Sequence, residues 1–169
     1  KDKLRLIVID NPSKDGRLDK WINDELARRP VENLPEFEII SSVDNDGFAG
    51  GHSRGLSAAK RWGAEFVYLV NQDASVSPNF LEPLVKQAQS NPNLVAVQSV
   101  IRLQSKPEVW NSVGNCLHYL GFGFSDGNGK SVADYHSETP HFYASGAGVL
   151  VRTDIVDDIG GLFDPVYWM

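Results

Sequence analysis

The sequence predicts an α/β fold: a mostly parallel sheet flanked by helices, with a β-rich segment added after it. Three observations carry this. Short runs of branched apolar residues alternate with stretches whose apolar positions recur at helical spacing, reading βα, βα, βα, β over residues 1–101. Two of the apolar runs end in a polar turn that carries a carboxylate, Asp10 in one and Asp73 in the other. After Arg102 the helical periodicity stops, and glycines and scattered aromatics replace it. Residues 1–169 read as a single domain, with that change of character between 101 and 102.

Taken in order, Leu4–Ile9 is short and branched, as an interior strand is. Asp10-Asn11-Pro12-Ser13-Lys14-Asp15-Gly16 stops it as a dense turn cluster. Leu18, Trp21, Ile22 and Leu26 then form one helical stripe, and Pro30 marks its end. Phe37–Ser42 is a second strand. From Gly47 to Gly55 four of nine residues are glycine, which reads as a tightly bent loop, with Ser53 capping a helix that runs to about Trp62. Such a loop feeding a helix suits an anion, but it is neither a Walker A nor a G-x-G-x-x-G pattern, and a structural loop fits equally. Phe66–Val70 is the third strand, and Asn71-Gln72-Asp73 breaks it. Ser77 reads as an N-cap with Pro78 at the first helical position, and Phe80, Leu81, Leu84, Val85 and Ala88 form that helix's core face. Asn91-Pro92-Asn93 ends it, and Leu94–Ile101 is a fourth strand.

Beyond, Asp126-Gly127-Asn128-Gly129 predicts a hairpin turn. Phe142–Val151 is a strand interrupted by Ser145-Gly146-Ala147-Gly148, where small residues permit close approach. Thr153 caps a short helix to about Ile159, ended by Gly160 and Gly161. The aromatic stretch Val166-Tyr167-Trp168-Met169 asks for burial, so the reading expects further chain after it.

Composition narrows the function classes. Hydrophobic residues are 41% and charged residues 22%, ordinary for a globular domain, and the net charge of −6 with no basic cluster argues against a nucleic-acid binder. No apolar run reaches the about 18 residues of a membrane span, and the opening Lys-Asp-Lys leads into a strand rather than a signal peptide. The lone Cys116 forms no internal disulfide and reads as a small buried hydrophobe. His52, His118, His136 and His141 are scattered without zinc-ligand spacing and read as surface or core residues, His52 drawing notice for its place in the glycine stretch. Asp73 is the leading functional carboxylate, since ligands of open α/β sheets bind at strand C-terminal ends; as a residue it serves equally as a turn former.

Together these segments resemble one family. Val8-Ile9-Asp10-Asn11-Pro12-Ser13-Lys14-Asp15-Gly16 is similar to the V-D-N-x-S-x-D-G motif of family-2 glycosyltransferases of the GT-A fold. Asn45 to Gly55 resembles their N-x-G-F-a-G-G-n-N-r-G segment. Leu69-Val70-Asn71-Gln72-Asp73 resembles L-L-N-x-D, the local form of the D-x-D metal motif. Ser145–Leu150 with Gly160-Gly161-Leu162-Phe163-Asp164 resembles the S-G-a-x-x-L-i and G-G-F-D block. The closest flavour is the rhamnosyltransferase-like branch that builds bacterial surface polysaccharides.

The resemblance implies a Rossmann-like nucleotide-diphospho-sugar transferase sheet, with 1–101 as the donor-nucleotide half and 102–169 as an acceptor-side half. It implies a nucleoside-diphosphate-sugar donor of the UDP or dTDP type, a saccharide or lipid-linked acceptor, and a Mg²⁺ or Mn²⁺ ion. Asp10 would bind the nucleobase; Asn45, Gly51 and Arg54 would lie near the nucleotide, Arg54 toward phosphate. Asp73 would hold the metal beside the neutral Asn71. Ser145, Gly146 and Ala147 would line the pocket where donor sugar and acceptor meet, and Asp164 closes the last motif. Ser53 stands where the family carries a second Asn. The family also has a strand before the first one here and a Glu-Asp pair, its general base, past the last motif; the reading expects both outside residues 1–169, and allows a homo-oligomer that covers a gap in the sheet. It places the protein in the cytoplasm or at the inner face of the membrane. The competing readings are a nucleotide-binding module without turnover and a nucleotidyltransferase, for which no glycine-rich, lysine-bearing motif is present at the first strand.

Overall fold

The computed structural model describes residues 4–12, 18–29, 34–135 and 141–164. The elements in chain order are β1 (Arg5–Asp10), α1 (Leu18–Arg28), β2 (Glu36–Ser41), α2 (Gly47–Arg61), β3 (Phe66–Val70), α3 (Leu81–Ser90), β4 (Ala96–Gln98), β5 (Ile101–Leu103), β6 (Lys106–Ser112), β7 (Gly114–Leu117), β8 (Gly123–Asp126), β9 (Gly148–Arg152) and α4 (Thr153–Val156). None of the described helices is long and apolar enough to cross a membrane. They fall into two compact units, Lys1–Glu65 with Thr153–Met169, and Phe66–Arg152.

In the first unit β1 and β2 pair in parallel, from Arg5 opposite Glu36 to Asp10 opposite Ser41. Helix α2 packs on β1 through its small residues: Gly51 and Gly55 face Ile9, while Ala49, Leu56, Ala58 and Ala59 are buried. Glycine and alanine there let the helix approach the strand more closely than larger side chains allow. Thr153 joins this unit through its hydroxyl, which donates to Ala64 O at 2.5 Å and Glu65 O at 3.1 Å. Lys60 pairs with Asp157.

The second unit is built on the three-stranded order β3-β9-β4. The central β9 runs antiparallel to both neighbours, with Tyr68 opposite Leu150 and Val97 opposite Leu150. Its Gly148, Val149, Leu150 and Val151 are all buried, so the strand shows a continuous apolar run instead of alternation. Helix α3 lies against β4 and β9 and buries Ala88. The pairs β5–β6 and β7–β8 are separate antiparallel ribbons.

The mostly parallel sheet that the sequence predicts does not form among the described residues: only β1 and β2 pair in parallel there, and the other strands form small antiparallel sheets. β3 and β4 do run parallel to one another, as a βαβ unit requires, but β9 lies between them and takes the hydrogen bonds of both. The βα order along the chain therefore predicted strand directions and not strand neighbours.

Several boundaries move as well. The glycine stretch is not a loop: Gly47 to Gly55 is helical, and α2 begins six residues before Ser53. The Ser53 hydroxyl does not cap; it donates to Ala49 O within the helix at 2.8 Å. Helix α3 begins at Leu81 rather than at Pro78, because Asn79 has φ 59° and a left-handed residue cannot continue a right-handed helix. The fourth strand is two short ones, β4 and β5. The turn between β7 and β8 is formed by residues 118–122, with His118 N donating to Phe122 O at 2.8 Å. Asp126 to Gly129 instead turns the chain from β8 back along β6, where Ser131 bridges Val109. The last strand starts at Gly148, not Phe142. Pro30 and the Val166–Met169 stretch lie outside the described residues.

Candidate nucleotide-sugar site

The first unit gathers polar groups where its parallel strands end. Asp10 closes β1, and its Oδ2 accepts a hydrogen bond from Ser41 Oγ at 3.3 Å. Ser42 N donates to Asp10 O at 2.9 Å, so the two strand tips are held together. Asn11 Nδ2 reaches across to Gly47 O at 2.9 Å and ties the tip of β1 to the start of α2. Asn45 Oδ1 accepts from Gly47 N at 2.8 Å and so satisfies one of the donors that a helix start leaves open.

Two atoms at these tips, Asn11 Oδ1 and Ser42 Oγ, are buried and meet no partner among the described residues. A buried polar atom without a partner pays its desolvation in full, and an incoming polar ligand relieves it. Nothing in the local sequence singles out Asn11, Ser41 and Ser42. Their signal is positional: they terminate neighbouring parallel strands, where open α/β sheets take ligands, and that is readable only once β1 is known to pair with β2.

Gly51 is buried beneath Asn11; a Cβ added there would stand 3.3 Å from Asn11 Nδ2 and 3.4 Å from Ile9 Cγ2. Its role in the structure is close helix–strand packing. Arg54 is exposed and its guanidinium is paired with Asp46. Beside it an open groove of about 330 Å³ is lined by Ile40, Ser53, Arg54, Ser57 and Arg61. Ser53 and Ser57 both donate their hydroxyls to carbonyls of their own helix, and Arg54 is paired with Asp46, so most of the groove's polar donors are already engaged. His52 packs edge-on to Phe48 at 4.2 Å and stacks on Phe163 at 5.7 Å, which brings two sequence motifs into one aromatic cluster. Burial there holds the imidazole below its ordinary pKa. Asp164 follows Phe163 and is exposed.

The second unit gathers the other predicted residues at one end of β3-β9-β4. Asn71, half-buried just past β3, donates its N–H to Ala147 O at 3.5 Å. Ser145 N donates to Gln98 Oε1 at 2.7 Å, and Ser145 Oγ accepts from Ala147 N at 3.3 Å. Asn71, Ser145, Gly146 and Ala147 are thus brought together by β9 running antiparallel between β3 and β4, with Gln98 as a support the sequence did not mark. Asp73 lies two residues past Asn71, fully in the exposed turn. Its exposed carboxylate is a hard oxygen donor of the kind that Mg²⁺ and Mn²⁺ take, ions that bind through one or two carboxylates plus phosphate oxygens. The donor set therefore fits the implied metal.

Parallel strand tips that collect a carboxylate, an amide and hydroxyls beside a helix start lie where open α/β sheets take ligands. The sequence model described as glycosyl transferase family 2 matches residues 1–160. The chain belongs to this family, which implies the GT-A nucleotide-sugar transferase fold and glycosyltransferase chemistry with a nucleotide-sugar donor and an acceptor. A comparison with curated proteins gave no match.

Proposed function

We propose that this domain transfers a hexose from a UDP- or dTDP-type sugar nucleotide to a saccharide or lipid-linked acceptor, with inversion, in rhamnosyltransferase-like polysaccharide synthesis. The observation that carries the reading is the family match over residues 1–160 combined with Asp10, Asn11, Ser41 and Ser42 at adjoining parallel strand ends. Asp10 accepts a hydrogen bond from the nucleobase, and the open polar atoms of Asn11 and Ser42 take further donor contacts. Asp73 would hold a divalent ion, which when bound would supply positive charge against that growing on the leaving nucleoside diphosphate. Ser145, Gly146 and Ala147 border the sugar and acceptor, where their small side chains leave room. In the reaction the acceptor hydroxyl oxygen bonds to the anomeric carbon, the bond from that carbon to the phosphate oxygen breaks, and the hydroxyl proton passes to a carboxylate base. The site works in the cytoplasm, at the inner face of a membrane when the acceptor is lipid-linked.

Calorimetry with UDP and dTDP, with and without Mn²⁺, tests the binding half. Asp73→Ala removes the Mn²⁺ dependence of affinity; an unchanged dependence sinks its assignment. Asp10→Ala weakens both nucleotides and leaves the metal dependence intact; parent-like affinity removes Asp10 from the site. A panel of sugar nucleotides offered with acceptor tests the transfer half. Acceptor-dependent release of nucleoside diphosphate supports it, whereas tight binding without release identifies a binding module.

A further inference from the structure

A second constellation lies in the Phe66–Arg152 unit, made of side chains to which no role is given above. Cys116 is on β7 and Asp126 closes β8. The register pairs Cys116 with Phe124 and Gly114 with Asp126, so Cys116 and Asp126 are diagonal neighbours on one face of the ribbon. Gly114 stands on that same face and contributes no side chain. The His141 imidazole fills the space: a Cβ built on Gly114 would fall 1.9 Å from its Cδ2. The chain is held there by Phe142 N donating to Asn115 O at 3.2 Å and by the bridge between Asn115 and Tyr143.

Three ligating atoms, one each from Cys116, Asp126 and His141, lie within 4.8 Å of one another. We propose that thiolate, carboxylate and imidazole here bind one Zn²⁺ ion, with a water in the fourth position. The donor chemistry selects zinc: a soft sulfur with a nitrogen and an oxygen suits it, whereas Mg²⁺ takes oxygen alone. Zinc bonds of about 2.0–2.3 Å put tetrahedral ligand atoms about 3.3–3.7 Å apart, so closure needs only small side-chain movements. Two further observations point the same way. His141 Nδ1 is buried and meets no hydrogen-bond partner among the described residues, an open position that metal coordination through Nδ1 relieves. The Tyr135 hydroxyl donates to Asp126 Oδ1, the outer-sphere contact that orients a ligating carboxylate. The ion would join β7, β8 and the segment that leads into the Ser145–Ala147 turn. Taken singly along the chain, Cys116 and His141 read as ordinary core or surface residues. Their spacing of nine and fourteen intervening residues around Asp126 matches no short zinc motif, and only the β7–β8 register assembles them.

The proposal does not depend on the donor site, and the test separates the two. Protein stripped with a chelator and dialysed against Zn²⁺ retains one equivalent, and Co²⁺ in its place gives a thiolate-to-cobalt charge-transfer band. Cys116→Ser abolishes the band; Asp126→Asn and His141→Gln release the ion; Tyr135→Phe weakens zinc by about 10- to 100-fold. Asp73→Ala leaves zinc binding unchanged. Because a variant can lose its fold, the unaltered protein supplies an independent measurement: Zn²⁺ shields Cys116, the only cysteine, from a thiol reagent. Sub-stoichiometric zinc, cobalt bound without the thiolate band, or a thiol that reacts equally fast with and without Zn²⁺ overturns the proposal.

Discussion

Replacing the glycines of α2 by alanine, one at a time, tests the largest difference between the sequence reading and the structure. In a helix interior an alanine is more stable than a glycine by about 0.8–1 kcal/mol. Gly50, Gly51 and Gly55 all lie in α2 and none has a positive φ, so each variant carries that gain. What differs is the space. At Gly55 a new Cβ meets Ile9 side-chain carbons at 3.5 Å, ordinary contact, so Gly55→Ala is stabilising by about 0.5–1 kcal/mol. At Gly51 the contacts are 3.3 Å to Asn11 Nδ2 and 3.4 Å to Ile9 Cγ2, so small shifts offset the gain and the variant lies near the parent. At Gly50 the new carbon falls 2.4 Å from Asp46 Cβ, too near the backbone to swing aside, and overpacking of about 1–3 kcal/mol exceeds the helix gain. Gly50→Ala is therefore destabilised by up to about 2 kcal/mol, and the Asp46–Arg54 pair is displaced with it. Thermal unfolding reads the series at about 2–4 °C per kcal/mol for a chain of this size. The order is Gly55→Ala above the parent, Gly51→Ala near it and Gly50→Ala below it. If Gly55→Ala unfolds below the parent, or if all three lose stability alike, the stretch is a bent loop and the helix reasoning fails.

Two further variants follow from single contacts. His52 has its pKa lowered by burial, so the folded protein binds the proton less readily than the unfolded chain, whose His titrates near pH 6.5. Its contribution is complete above that pH and is lost as pH falls toward the depressed folded value. His52→Phe keeps a ring against Phe48 and Phe163 and narrows the fall in Tm between about pH 7.5 and pH 5.5; an equal fall in both proteins rules this titration out. Thr153→Val keeps the shape but removes the hydroxyl that donates to Ala64 O and Glu65 O, and urea titration shows a loss of about 1–3 kcal/mol. A parent-like midpoint means that the buried hydroxyl contributes nothing there.

Much of the first unit, and the first strand of the second, was legible along the chain. Strand β1, helix α1, strand β2 and strand β3 fall within a residue or so of where branched apolar runs and helical stripes put them, because these patterns follow local backbone periodicity. The glycine stretch misled for a physical reason. Glycine lowers helix propensity, yet α2 forms through it because its small residues press against Ile9 and Asn11, and tertiary packing outweighs intrinsic preference.

The sequence by itself determined the family motifs, their order, and the identity of the polar residues at each strand tip. Strand partners were beyond it. Whether β3 meets β4 directly or through β9 depends on hydrogen bonds between segments about fifty and about eighty residues apart, and no local pattern encodes those. The same holds for the contacts that assemble sites. Asn11 against Gly47, Ser145 against Gln98, and Cys116 with Asp126 and His141 each exist only because a register aligns one residue with another. A side chain's chemistry is local, but its neighbours are chosen by the packing of the whole unit.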